Sequence, residues 1–146
     1  MSKTVKILLG LGLVLIAIQF IRPARNISSQ ILATDITKTV KVTDSVQAVL
    51  KKACYDCHSN NTNYPWYSNI QPVGWFLANH VSGGKRRLNF SEFGSYPQRR
   101  QSSKLNDIAN EVQDGGMPLS SYTLIHKEAR LTANEKSLVI KWAQQK

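Results

Sequence analysis

The hydrophobic positions open with one unbroken run and then settle into periodic stretches. Residues 7–21 are apolar except for Gln19, with Lys3 and Lys6 before them and Arg22 and Arg25 after. Fifteen residues are few against the ~20 needed to cross a bilayer core, and are the right length for the apolar core of a signal peptide. No small-x-small cleavage site follows, because the run ends in Phe20-Ile21-Arg22-Pro23. Extending the helix from about Val5 to Arg22, with charged ends reaching the interface, makes a marginal membrane span. Residues 1–25 are therefore expected as an uncleaved signal anchor, with a removed signal peptide as the alternative. Residues 26–42 are polar, rich in Ser and Thr and without a sustained period, which predicts a tether.

From Thr43 onward the period becomes helical. Thr43 or Asp44 caps a helix to about Cys54, and Val46, Val49, Leu50, Ala53 and Cys57 share one stripe at i, i+3, i+4 spacing. The tract 59–65, Ser-Asn-Asn-Thr-Asn-Tyr-Pro, is turn material. Pro72 suits the first turn of a second helix that Gly83-Gly84 would close, with Val73, Phe76, Leu77, His80 and Val81 on one face. A third helix starts at Ser102 or Ser103, buries Leu105, Ile108, Ala109 and Val112, and stops at Asp114-Gly115-Gly116. Leu119 to Arg130 reads as irregular. Thr132 and Glu135 fit a capping box for a last helix with Leu138, Val139, Trp142 and Ala143 inward and Lys141 and Lys146 at its negative end. The pattern predicts an all-α domain over residues 43–146, preceded by the N-terminal helix.

The chemistry concentrates at Cys54-Tyr55-Asp56-Cys57-His58, which contains the only two cysteines of the chain. A C-x-x-C-H run is a c-type haem attachment site. Two thiols three positions apart on a helical turn each add to one vinyl group of the same porphyrin, and the next residue brings an imidazole beneath the iron. A thioredoxin-like dithiol expects a βαβ setting, and none is visible. A zinc site would need Cys54, Cys57, His58 and one of His80 or His126, without the usual second ligand pair. A disulfide between Cys54 and Cys57 would close a tiny, strained loop.

Gly115-Gly116-Met117-Pro118 is the second feature. A thioether ligand needs a close-approaching, rigid loop, which two glycines and a proline supply. Met117 is the only methionine besides the initiator, and it is the expected sixth ligand of the haem iron, opposite His58. Methionine opposite histidine raises the reduction potential and suits electron transfer. His80 and His126 are the fallback sixth ligands. On its apolar stripe His80 also fits a buried, hydrogen-bonded histidine or a partner for a haem propionate. Trp66 and Tyr67 are candidates for the porphyrin edge or for ordinary core packing, Tyr122 and His126 for the haem pocket, and one or two of Lys85, Arg86, Arg87, Arg99 and Arg100 for the propionates.

Charge narrows the partners. The chain has 146 residues and a formal charge of +10, from 19 Lys and Arg against 9 Asp and Glu; four of the positives flank the N-terminal run, leaving +6 on the rest. Nucleic-acid binding would interleave such charge with aromatics on one face, and no such motif is present. A basic rim that steers an acidic redox protein fits better. Thioether attachment takes place outside the cytoplasm, so the domain is expected on the periplasmic side of the inner membrane, held there by the N-terminal helix, or free in the periplasm if that segment is removed.

These residues resemble a known pattern. Cys54-Tyr-Asp-Cys-His58-Ser-Asn, Tyr64-Pro-Trp-Tyr67, the stretch from Pro72 to His80, Leu88-Asn-Phe-Ser91, Met117-Pro-Leu119 and the ending from Leu131 to Trp142 are similar to a small bacterial haem-binding domain family. More broadly, the chain resembles single-haem class I-like c-type cytochromes. The resemblance spans roughly residues 45–143. It implies an all-helical domain around one covalent haem c, His58 as axial ligand, Met117 in the distal position, and a Cys54-bearing helix that crosses the helix bearing Trp142. The expected role is a non-catalytic single-electron carrier. A haem-based sensor or small-ligand module with an open sixth site is the main alternative, and a peroxidase-like site using His80 as acid–base residue is a third.

Overall fold

The protein is described by a computed structural model over residues 1–28 and 30–145. Ser29, within the expected tether, and Lys146, expected at the end of the last helix, lie outside the described residues. Eight α-helices follow in order among the described residues: α1 Lys3–Ile18, α2 Ile36–Thr39, α3 Asp44–Ala53, α4 Tyr55–His58, α5 Val73–Arg87, α6 Gln98–Gln113, α7 Ser120–Ile125 and α8 Ala133–Ala143. Short 3₁₀ turns join them, and no described residue lies in a strand.

The core is built by α3, α6 and α8. Thr43 caps α3 by accepting from the Val46 N–H at 3.4 Å, with Asp44 in the first turn and Lys51 and Lys52 in the last, each complementing the helix dipole. Its buried face is Val46, Val49, Leu50 and Ala53. α8 opens with the expected capping box: the Thr132 hydroxyl accepts from Glu135 N–H and the Glu135 carboxylate accepts from Thr132 N–H. Its Val139, Trp142 and Ala143 meet Ile108, Ala109 and Val112 of α6 in one apolar cluster with the α3 residues. The Lys52–Glu135 ion pair, at 2.5 Å, ties α3 to α8 at the rim. Phe90 and Phe93, 1 % and 0 % exposed in the 3₁₀ segment Phe90–Ser95, complete the core.

Four sequence expectations are corrected. The first is the membrane-spanning anchor. α1 stops at Ile18, so its 16 residues reach ~24 Å at 1.5 Å per residue, short of the ~30 Å hydrocarbon core. Among the described residues no helix is long and apolar enough to cross a membrane. The chain leaves the helix because the next residues bond to the domain. Gln19 accepts from Gln71 N–H at 2.9 Å and donates to Gln71 O at 3.1 Å, and the Trp75 indole donates to Ile21 O at 2.7 Å.

The second concerns the expected tether 26–42, in which Asn26 and the stretch from Thr34 to Val42 make contacts with the domain. The Asn26 amide donates to Ser59 O and to the Thr62 hydroxyl, Ile36 is fully buried, and Asp35 caps α2. The third is α5, which runs through Gly83-Gly84 to Arg87. Here glycine serves close approach: a Cβ on Gly84 would lie 2.5 Å from Cys57 O. Gly84→Ala is therefore expected to destabilise the domain by about 1–3 kcal/mol, since backbone must shift to admit the methyl; an unchanged denaturant midpoint would count against this packing. The fourth covers α6 and α7. α6 begins at Gln98, directly after Pro97, and the supposedly irregular 119–130 contains α7.

Candidate functional site

The attachment motif straddles a break in the chain. Cys54 closes α3 with non-helical backbone angles (φ −127°, ψ −38°), and the single turn α4 then carries Cys57 and His58. The Cys54 carbonyl accepts from both Cys57 N–H and His58 N–H, at 3.2 and 3.0 Å, which holds the three side chains on one tight turn.

His58 is fixed from the side. Its Nδ1 lies 3.0 Å from the carbonyl of Leu88, the residue that caps α5. A carbonyl only accepts, so Nδ1 carries the hydrogen and the Nε2 lone pair remains for a metal. Nε2 makes no hydrogen bond among the described residues. Burial pulls the imidazole below its ordinary range, the Leu88 and Gly84 carbonyls oppose this, and the Arg87 charge adds to it. The ring is thus neutral, as a metal ligand must be.

The two cysteines are free thiols. Burial, helped by Cys57, pushes the Cys54 thiol up to about 12; burial, helped by Asp56, pushes Cys57 up to about 11. Reactive dithiols sit in surroundings that lower the thiol pKa, which is the reverse of this site. Among the described residues no group of three or more His, Cys, Asp or Glu side chains could hold a metal ion, so the zinc alternative gains no support.

Above this turn lies a cleft of two lobes, about 340 and 380 Å³, that share Ala53, Cys54, His58, Arg87, Met117 and Pro118. Each lobe falls within the ~300–1,000 Å³ usual for cofactor sites. The first is lined by the apolar Leu88, Phe90, Ile108 and Val112 and by Lys104, Asp107, Asn110 and Glu111 of α6; the second adds Cys57, His80, Gly83, Gly84 and Tyr122. Met117 reaches the cleft on the arm between α6 and α7. Gly115 turns that arm with φ +74°, a left-handed conformation that favours glycine, and Met117 N–H donates to Glu111 O at 3.1 Å. Two thiols, a neutral imidazole with a free nitrogen, and a thioether therefore line one apolar-walled cleft, a donor set that fits a haem.

The remaining candidates divide. His80 lines the second lobe, with Nδ1 3.0 Å from Phe76 O and its ring against Phe76 at 4.2 Å. His126 lines neither lobe; its Nε2 is 2.6 Å from the Tyr67 hydroxyl and its Nδ1 3.1 Å from the Glu128 carboxylate. Trp66 is 76 % exposed and neither it nor Tyr67 lines the cleft. Among the basic residues, Arg87 borders both lobes and Arg86, which also donates to Ser82, borders the second, whereas Lys85 donates to Asn26 and Arg100 covers the Tyr96 ring.

Two contributors escape a reading of the sequence. The Leu88 carbonyl that orients His58 is a backbone atom thirty positions away and leaves no signal. Asp56 is visible only as a variable position of the motif, yet its carboxylate accepts from the Tyr122 hydroxyl at 2.7 Å. Burial and then Asp56 hold the Tyr122 phenol well above its ordinary range, so it stays a donor.

Comparison with known proteins identifies the family. No curated protein and no solved structure matches the chain. The family described as haem-binding domain matches residues 13–145, which takes in the last six residues of α1 and every element from α2 to the end of α8. With that match over nearly its whole length, and a cleft whose donors suit the cofactor, the chain belongs to the haem-binding domain family.

Proposed function

We propose that the cleft holds one haem c, joined by thioethers to Cys54 and Cys57, with His58 Nε2 and the Met117 sulfur as axial ligands, and that the protein passes single electrons. Haem bound there supplies a one-electron ferric/ferrous couple. The observation that carries this reading is the fixed ring of His58: Leu88 holds Nδ1, leaving Nε2 free in the same cleft that Met117 lines. The outer partner of a ligating histidine sets its tautomer and orientation. The apolar side chains of Leu88, Phe90, Ile108 and Val112 lower the polarity on one side of the cleft, which is a lever on the potential of a bound haem.

This makes the chain similar in role to the single-haem class I-like cytochromes. Thioether attachment implies a domain working outside the cytoplasm, in the periplasm. Arg86 and Arg87, exposed at the cleft border, suit a redox protein with an acidic docking face.

An absorption spectrum of the ferric protein, produced with haem attachment available, tests the reading. A low-spin spectrum with the weak far-red charge-transfer band of a methionine–iron bond is expected. A low-spin spectrum without that band would remove Met117 and leave His80 as the histidine already in the cleft. A haem-based sensor is the competing reading, favoured by the room beside His80 in the second lobe; it requires a high-spin ferric state and ready carbon monoxide binding to the ferrous protein.

A further inference from the structure

The arm that carries Met117 joins α6 to α7, and α7 has no buried residue; its Leu124 and Ile125 are 69 % and 62 % exposed. Apolar burial therefore does little to hold this helix against the domain. What holds it is polar. The Tyr122 hydroxyl donates to Asp56 Oδ2 at 2.7 Å; His126, which closes α7, stacks on the Tyr122 ring with centroids 4.4 Å apart and has its Nε2 2.6 Å from the Tyr67 hydroxyl. The Arg130 guanidinium also donates to Thr123 O at 3.0 Å.

Asp56 is well placed as an anchor. It lies between Cys54 and Cys57 in α4, its Oδ1 accepts from Asn63 N–H at 3.0 Å, and its carbonyl accepts from the Thr62 hydroxyl at 2.7 Å. Among the described residues it forms no ion pair, so Asn63 and Tyr122 supply the donors that stabilise its charge. Tyr122 stands five positions after Met117, and Asp56 two before His58. A single charge-assisted bond thus joins the two walls of the cleft.

We infer that Tyr122 is a positioning residue that ties the Met117 arm to the haem-attachment turn through Asp56, and so sets how firmly the sixth ligand stays on the iron. This rests on ligation by Met117. The other end of the arm is held by the Met117 N–H bond to Glu111 O. With both ends held, displacing the thioether requires the Tyr122–Asp56 bond to stretch or break. Without that bond the arm is held at Glu111 and, beyond α7, only through the Tyr67–His126 contact at 2.6 Å, nine positions from Met117, and an outside ligand competes with Met117 more easily.

The test uses the full chain with haem attached, in the ferric state, titrated with imidazole while the far-red methionine–iron band is followed. Tyr122→Phe keeps the ring on His126 and removes only the hydroxyl. Its apparent affinity for imidazole should rise about tenfold, as the loss of one hydrogen bond to a charged group implies. Asp56→Asn keeps an acceptor without the charge and should fall between the two, and the double variant should match Tyr122→Phe, as coupled partners do. Tyr67→Phe, which alters the His126 side of the cluster, should stay within twofold of the unmodified protein. Should Tyr122→Phe fail to accumulate, Asp56→Asn carries the same test. Imidazole affinity within twofold in both Tyr122→Phe and Asp56→Asn, with the band present, would overturn the tether alone. Absence of the band from the unmodified protein would sink ligation by Met117, and the tether with it.

Discussion

A chain with both Cys54→Ser and Cys57→Ser should surrender its haem to acidified organic solvent, while the unmodified protein keeps the pigment with the polypeptide. The cause is covalent. Each thiol adds across one vinyl group, so either single variant retains one bond and its pigment, and only the double variant loses both. His58 remains in the double variant and its ring is still held by Leu88, so haem can bind without being fixed; coordination alone does not survive acid, which protonates the imidazole. Intact-mass measurement reads the result directly, because a covalent haem adds its mass to the chain. Solvent-resistant pigment in the double variant, or extractable pigment in the unmodified protein, would contradict attachment at these cysteines.

The second large effect is expected from Met117→Leu. Leucine conserves the volume, and Leu–Met exchanges usually cost under about 1.5 kcal/mol, so the fold should persist while the sulfur is lost. The far-red band should disappear, the ferric iron should turn high-spin or take another ligand, and the reduction potential should drop on the order of 0.1 V or more, within the ~0.8 V that axial ligands span. The direction follows from the preference of a thioether for ferrous iron. A potential and spectrum unchanged from the unmodified protein would exclude Met117 as a ligand. His80 would then be the residue to replace, because it lines the cleft, whereas both nitrogens of His126 are engaged by Tyr67 and Glu128.

Much of this is legible in the sequence, and the legible parts share a property. The Thr43 cap, the Thr132–Glu135 capping box, the inward stripes of α3, α6 and α8, and the Cys54–His58 motif are all set within a few residues along the chain. Where the reading missed, a neighbour distant in sequence decided the outcome. Gly83-Gly84 stands where a helix would end, but Cys57 needs the space against Gly84 and α5 continues. Gln19 interrupts an apolar run that otherwise reads as an anchor, and its bonds to Gln71 draw the chain out of the helix there. Trp66 and Tyr67 follow the attachment motif closely in sequence, yet line no part of the cleft.

The sequence by itself determined the chemistry on offer: two thiols and an imidazole on one turn, a lone methionine on a glycine-proline arm, and helices amphipathic enough to build a core around them. Spacing and side-chain type suffice for that, because the forces involved act within a turn or two. Only the tertiary structure decided which atoms meet. It brought the Leu88 carbonyl to His58, Tyr122 to Asp56 across 66 positions, His80 into the cleft and His126 out of it. Such meetings depend on where burying the apolar faces of α3, α6 and α8 carries the rest of the chain, and no local pattern encodes that destination.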